Sequence, residues 1–222
     1  MSLGFESFSS FLIDRFTQSL PGSGAQLQMA PLDRPPESLL IPDLPDAKMS
    51  SVILLCFPEQ NLPQLVLIER NTYPGIHSGQ MGLPGGKQDD NDPNLEHTAL
   101  RETHEELGIE REQIQLIGKL TPLYIPVSKF LVHPFVGLMK EKPEFRPDPR
   151  EVSGYITLNL HDLTNEKLKK LSKVSVGNGF TKTVPSYVVS DKVVWGATAM
   201  ILGEFSELIQ PFFLQHSKTN LF

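Results

Sequence analysis

GGKQDDNDPNLEHTALRETHEELGI, residues 85–109, decides the reading of this chain. Asp92 is placed to cap a helix, Pro93 suits the first helical position, and Gly108 falls just past the end. The pattern predicts a helix over about Pro93–Leu107. At 3.6 residues per turn, Glu102, Glu105 and Glu106 fall within an arc of about 100°, with Leu100, Thr103 and Leu107 clustered opposite. Like charges so spaced repel and weaken a bare helix. Hard divalent cations against that face would relieve them, since Mg²⁺ takes carboxylate oxygens plus retained waters. Taken alone, the glutamates read equally well as a solvated acidic face. The preceding loop shifts the balance: Gly85-Gly86-Lys87 ends a strand and opens into this helix. Glycine there lets backbone approach a ligand closely and a carbonyl join a metal shell.

Outward from this stretch, the chain alternates strands and helices. Ser51–Phe57 and Gln64–Glu69 read as strands joined by a turn through Pro58 to Pro63, and a short strand ends in residues 82–86. Further strands are expected near Ile114–Leu120, Leu131–Leu138 and Gly154–Leu158. Val184–Val189 and Lys192–Trp195 form a hairpin turning at Ser190-Asp191, and a last helix spans about Ala197–Phe213. Upstream, Phe5, Phe8, Leu12, Phe16 and Leu20 keep helical spacing until Pro21-Gly22. Pro31, Pro35, Pro36, Pro42 and Pro45 then predict an extended arm. The expected division is an N-terminal helix and Pro-rich arm over residues 1–46 and a main domain over 47–222. The expected class is α/β (α+β), with a mixed sheet and helices on its faces.

The chain has 222 residues, enough for a substantial core. Twenty Lys and Arg against 26 Asp and Glu leave a net charge of −6. That balance disfavours nucleic acid and anionic membranes, which want basic surfaces, but not a small polyanion met by metal ions. The single cysteine, Cys56, lies in an apolar run and reads as a buried spectator on a strand. No stretch approaches the roughly 18 apolar residues of a membrane span, and no secretory signal pattern is visible. A cytoplasmic location is the expectation.

Residues 86–109 resemble the Nudix box: Gly, five residues, Glu, seven residues, then Arg-Glu-U-x-Glu-Glu-x-Gly-U, with U bulky and apolar. Arg101, Glu102, Glu105, Glu106, Gly108 and Ile109 match, with Thr103 at the first U. One extra residue lies between Gly86 and Arg101, and the early Glu is missing, so Asp92 or Asp89 takes its place. Gly85, Gly86, Asp89 and Asp92 match the Gly-Gly-x-x-Asp-x-x-Asp of the coenzyme A pyrophosphatase branch. Upstream, Leu67-Ile68-Glu69-Arg70 and His77-Ser78-Gly79 through Gly86 are similar to that branch, with Leu83 for its usual Phe. Leu123–Pro126, His133–Gly137, Glu151-Val152 and Trp195–Thr198 extend the likeness.

The resemblance implies a Nudix-like α/β/α sandwich and hydrolysis of a nucleoside diphosphate linked to another group, using Mg²⁺ or Mn²⁺. For the named branch, coenzyme A (CoA) is split into 3′,5′-ADP and 4′-phosphopantetheine. It implies Glu102, Glu105, Glu106 and the Gly85 carbonyl as metal ligands. It adds Glu151 to the catalytic glutamates as a further ligand or base. Arg70, His77 and Lys87 are implied substrate contacts, with Lys129 a weaker one. Arg101 reads as a structural partner of the acids. ADP-ribose, NADH or an oxidised nucleotide is the alternative substrate, and a catalytically silent binding module the alternative class. A homodimer is allowed for.

Overall fold

The computed structural model describes residues 4–34, 46–72, 78–176 and 180–217. Its core is an eight-stranded mixed sheet built on the hairpin β1 (Lys48–Glu59) and β2 (Leu62–Arg70). β1 runs parallel to β7 (Phe130–Leu138), and β7 carries β5 (Gln115–Lys119) and β6 (Leu123–Ile125) antiparallel. β3 (Met81–Gly82) and β8 (Val152–Asn159) pair with β2, while β4 (Gly85–Lys87) pairs with β1.

The apolar run of β1 is continuous because both sheet faces are covered. Ile53, Leu55 and Phe57 pack toward α3 (Leu95–Leu107), and Leu54 and Cys56 toward α5 (Gly196–Ser217). The α/β/α layering follows from that alternation. Cys56 is fully buried, and burial drives its thiol pKa far up, so it stays protonated packing material. A second sheet of β9 (Lys169–Ser175), β10 (Thr181–Val189) and β11 (Lys192–Trp195) lays Tyr187, Val189 and Val194 against the α5 core.

Several expectations need correction. The turn expected from Pro58 to Pro63 is a two-residue turn at Gln60-Asn61, both with positive φ, and the two prolines face each other inside the ladder. One pair beyond the turn-flanking Glu59 and Leu62, they occupy a non-hydrogen-bonded site, and the neighbours β7 and β8 end before reaching them. No ladder bond is lost. The strands β6 and β9 and the short helix α4 (Leu160–Leu163) lack a readable period and were not expected. The last helix runs on past Phe213 with Pro211 inside it.

At the N-terminus, α1 spans Phe5–Arg15 and stops short of the expected Leu20. Thr17 Oγ1 and Arg15 Nη1 take the carbonyls of Asp14 and Ser19, so side chains replace the next helical turn. Phe8 and Leu12 are fully buried, with the Phe8 ring edge-on to Phe212 at 5.4 Å. A second helix, α2 (Ser23–Leu27), lies between the expected helix and the expected arm, where the sequence predicted no element. It is tied down by the buried Glu204 of α5, which accepts from Gly22 N, Gln26 Nε2 and Thr121 Oγ1 at 3.2, 2.8 and 2.7 Å. Of the expected arm, residues 35–45 lie outside the described residues.

Because Phe8 fills the core between α1 and α5, Phe8→Ala is expected to cost about 3–5 kcal/mol of stability. A denaturant midpoint within error of the parent's would show that α1 is merely attached to the surface.

Candidate active site

Helix α3 begins two residues later than its sequence suggests. Asn94 is the N-cap, its side chain accepting from His97 N at 2.8 Å. Asp92 is freed for another task. Its buried carboxylate receives Arg101 Nε at 3.0 Å and Nη2 at 2.9 Å, Thr98 Oγ1 at 2.9 Å and Asp89 N at 3.0 Å. The Arg101 guanidinium holds the Asp92 pKa far below the usual carboxylate range, and Asp92 in turn raises that of Arg101. So Arg101 clamps the loop to the helix, and Asp92 fills the place of the early Glu. Asp89 helps shape the loop, accepting from Asn91 N.

From that clamp Arg101 also reaches Glu102 Oε1 at 3.0 Å and Glu105 Oε2 at 2.7 Å. The glutamates do not share one environment. Glu106 is buried, Glu102 half-buried and Glu105 exposed. Glu102, Glu106 and Glu151 each offer a carboxylate oxygen within 4.8 Å of one another; Glu105 stands outside this group, turned to Arg101. The acidic arc therefore centres on Glu106 rather than Glu105. Glu151 arrives because residues 146–151 dock on the end of α3. Arg146 N and Asp148 N donate to the free carbonyls of Leu107 and Glu106, at 2.8 and 3.2 Å.

Strand β4 closes the site from the sheet side. Gly85 N donates to Glu106 Oε2 at 2.8 Å, and the Gly85 carbonyl accepts from Arg70 Nη2 at 3.0 Å with a lone pair to spare. Arg70 Nη1 also lies 3.8 Å from Glu106 Oε1. Gly85 is compulsory, and Gly86 is what lets Glu102 rest where it does. A Cβ on Gly85, at φ +142°, would meet the Ser51 carbonyl at 2.2 Å, and one on Gly86 would meet the Glu102 carboxyl carbon at 2.3 Å. Burial pushes the Glu106 pKa up to about 8, against the pull of Arg70 and Gly85 N, and burial also raises that of Glu102.

Lys87 is exposed beside this centre. It lines, with Arg70, Gly85 and Gly86, a cavity of about 310 Å³ that runs over Val52 and Phe130 to Ile201. Lys129 is exposed in the turn before β7 and does not line it. His77 lies outside the described residues. His104 turns from the glutamates to the Ile109 carbonyl, as its neighbouring helix position demands.

The donor set fits a hard divalent cation. It is all oxygen, it carries more negative charge than one arginine offsets, and its buried member holds a proton more tightly than a free carboxyl. An acidic helix packed directly on a Gly-Gly strand end, whose other face borders a cavity, suits metal-assisted hydrolysis of a phosphoanhydride. The sequence model of the NUDIX domain matches residues 47–176. An uncharacterized Nudix hydrolase, NudL, of Yersinia pestis (strain Pestoides F) is 32% identical over 157 residues, spanning 70% of this chain and 76% of that protein. Its counterpart in Yersinia pseudotuberculosis (strain IP 31758) matches to the same extent. Among solved structures, a Caenorhabditis elegans Ap4A hydrolase binary complex shares the fold, with TM-score 0.52 and 15% identity over 75% of this chain and all of that one. The chain belongs to the Nudix family and is a Nudix hydrolase, a class that acts on nucleoside diphosphate derivatives and generally uses divalent metal ions. Among the described residues no helix is long and apolar enough to cross a membrane.

Two outcomes follow. A carboxyl whose folded pKa exceeds its unfolded value binds more protons when native, so stability falls as pH rises between them, here from 4.5 to about 8. Asp92 acts oppositely, and its contribution is lost only below its unfolded 3.8. Metal-free protein should therefore melt lower at pH 8 than at pH 6, and millimolar Mg²⁺ should raise the midpoint more at pH 8. Equal midpoints with Mg²⁺ and with EDTA at pH 8 would refute a preformed site. Gly86→Ala, which drives Glu102 from its place, should weaken apparent metal affinity roughly tenfold or more in the same melts.

Proposed function

We propose that this Nudix hydrolase cleaves the diphosphate of coenzyme A or a CoA derivative, giving 3′,5′-ADP and (acyl-)4′-phosphopantetheine, with Mg²⁺ or Mn²⁺. The observation that carries the hydrolytic reading is the convergence of Glu102, Glu106 and Glu151 beside the Gly85-Gly86 strand end. Glu102, Glu106 and the Gly85 carbonyl would hold the ions, with Glu105 adjoining on the same helix. Bound there, such ions neutralise the diphosphate and lower the pKa of an attacking water. Glu151, the exposed member, takes that water's proton as its oxygen bonds to phosphorus and the bridging P–O bond breaks. Arg70 steadies the diphosphate oxygens, and Lys87 is a further substrate contact. His77 is a further substrate contact in this reading.

The CoA assignment rests on the likeness across residues 67–92. The Asp92–Arg101 clamp supports it, since it gives the substituted acids a structural use. The cavity supports it too. A Leu83, Met81 and Ile201 lining beside the cationic rim suits a nucleoside arm that is apolar at its base and anionic at its ribose.

Glu106→Gln should lower kcat by about 10² or more, roughly 2.7 kcal/mol of barrier, while raising the metal-free midpoint at pH 8 by removing a buried charge. Near-parental turnover at saturating Mg²⁺ would overturn the site. Among CoA, ADP-ribose, NADH and 8-oxo-dGTP, CoA should have the highest kcat/KM. A better ADP-ribose rate would replace the substrate and leave the chemistry intact.

A further inference from the structure

The β4–β1 ladder sorts its side chains to opposite faces of the sheet. Gly86 stands opposite Ser51 and faces α3, where the Glu102 carboxylate rests on it. Lys87 stands opposite Ser50 and so shares the face of Val52 and Leu54, the α5 face that holds the cavity. Lys48, two residues before Ser50, falls on that same face, with its Nζ 5.7 Å from the centre of the Phe130 ring that lines the cavity. Lys48 and Lys87 are diagonal neighbours across antiparallel strands, within reach of long side chains. Both are exposed, and among the described residues neither ammonium has a carboxylate partner. In a chain with net charge −6, Lys87 on the cavity lining and Lys48 beside its Phe130 wall set up a directed positive field.

The scissile diphosphate needs the glutamates and must lie on the α3 side of the Gly85-Gly86 edge. The ammonium pair is on the other side, over the arm of the substrate that enters the cavity. We infer that Lys48 and Lys87 form a second anion subsite that binds a phosphate monoester carried on the nucleoside arm, separate from the diphosphate that is cleaved. This deepens the CoA reading and rests on it, because the adenosine of CoA carries such a 3′-phosphate. Lys48 becomes a specificity residue: it discriminates CoA from nucleotides that lack the third phosphate. Two point charges contacting a dianion make the discrimination electrostatic, so it should fade as salt rises.

The test separates this subsite from the substrate assignment by using direct binding. Calorimetry in EDTA would compare 3′,5′-ADP with 5′-AMP on the parent protein, Lys48→Met and Lys48→Arg. The parent should bind 3′,5′-ADP about tenfold or more tighter at low salt. Lys48→Met should collapse the ratio toward one, and Lys48→Arg should keep most of it. Raising NaCl to 0.5 M should shrink the ratio in the parent and in Lys48→Arg but not in Lys48→Met. Equal affinities for the two nucleotides in the parent, or an unchanged ratio in Lys48→Met, would overturn the subsite whether or not CoA is hydrolysed. In turnover, the CoA to dephospho-CoA ratio of kcat/KM should fall with Lys48→Met. A CoA rate of zero in the parent with the binding ratio intact would refute the CoA reading and leave the anion subsite standing.

Discussion

The contact between Asp92 and Arg101 is the constraint on which the rest of the site hangs. A carboxylate this buried is costly unless its lone pairs are filled, and here a bidentate guanidinium, a hydroxyl and a backbone amide fill them. Removing one partner of such a pair leaves an uncompensated buried charge, at about 3–5 kcal/mol. The same guanidinium then spends its remaining donors on Glu102, Glu105 and the Lys87 carbonyl. Loop, helix and strand β4 are thus locked in one register by one side chain, and the glutamates inherit fixed positions from it.

Around that clamp the protein accepts local strain in stability for function. Glu102 and Glu106 are pressed against a strand end with no β-carbons in the way, and Glu151 adds like charge from outside. Nothing about folding requires three acids there; an apolar helix face would pack better. Raised carboxyl pKa values are the signature of that conflict, and perturbed groups of this kind cluster at functional sites. The compensation lies elsewhere, in a sheet covered on both faces and in α1 and α2 packed onto α5.

The sheet edge at β4 gives the site its two-sidedness. A three-residue strand offers one residue to each face in turn, so Gly86 looks to the acids and Lys87 to the cavity. Negative and positive fields are thereby kept on opposite sides of one strand.

Much of this was legible in residue order, because local physics acts over short spans. The α3 helix, its Gly108 stop and the acidic arc follow from 3.6-residue periodicity and from glycine's tolerance of positive φ. The continuous apolar run of β1 and the Ser190-Asp191 turn follow in the same way. Other features depend on neighbours that sequence does not reveal. Asn94 caps the helix because Asp92 is taken by Arg101, nine residues on. Pro58 and Pro63 sit in the ladder because β7 and β8 end before reaching them. Glu106 rather than Glu105 becomes the buried acid because β4 covers that side of the helix, a contact between segments over twenty residues apart. Glu151 joins them from forty-five residues beyond Glu106 because its segment caps the free carbonyls of α3. Spacing along the chain determined which groups share a helix face; only long-range packing decided which of them are desolvated, and so which can hold charge against a ligand.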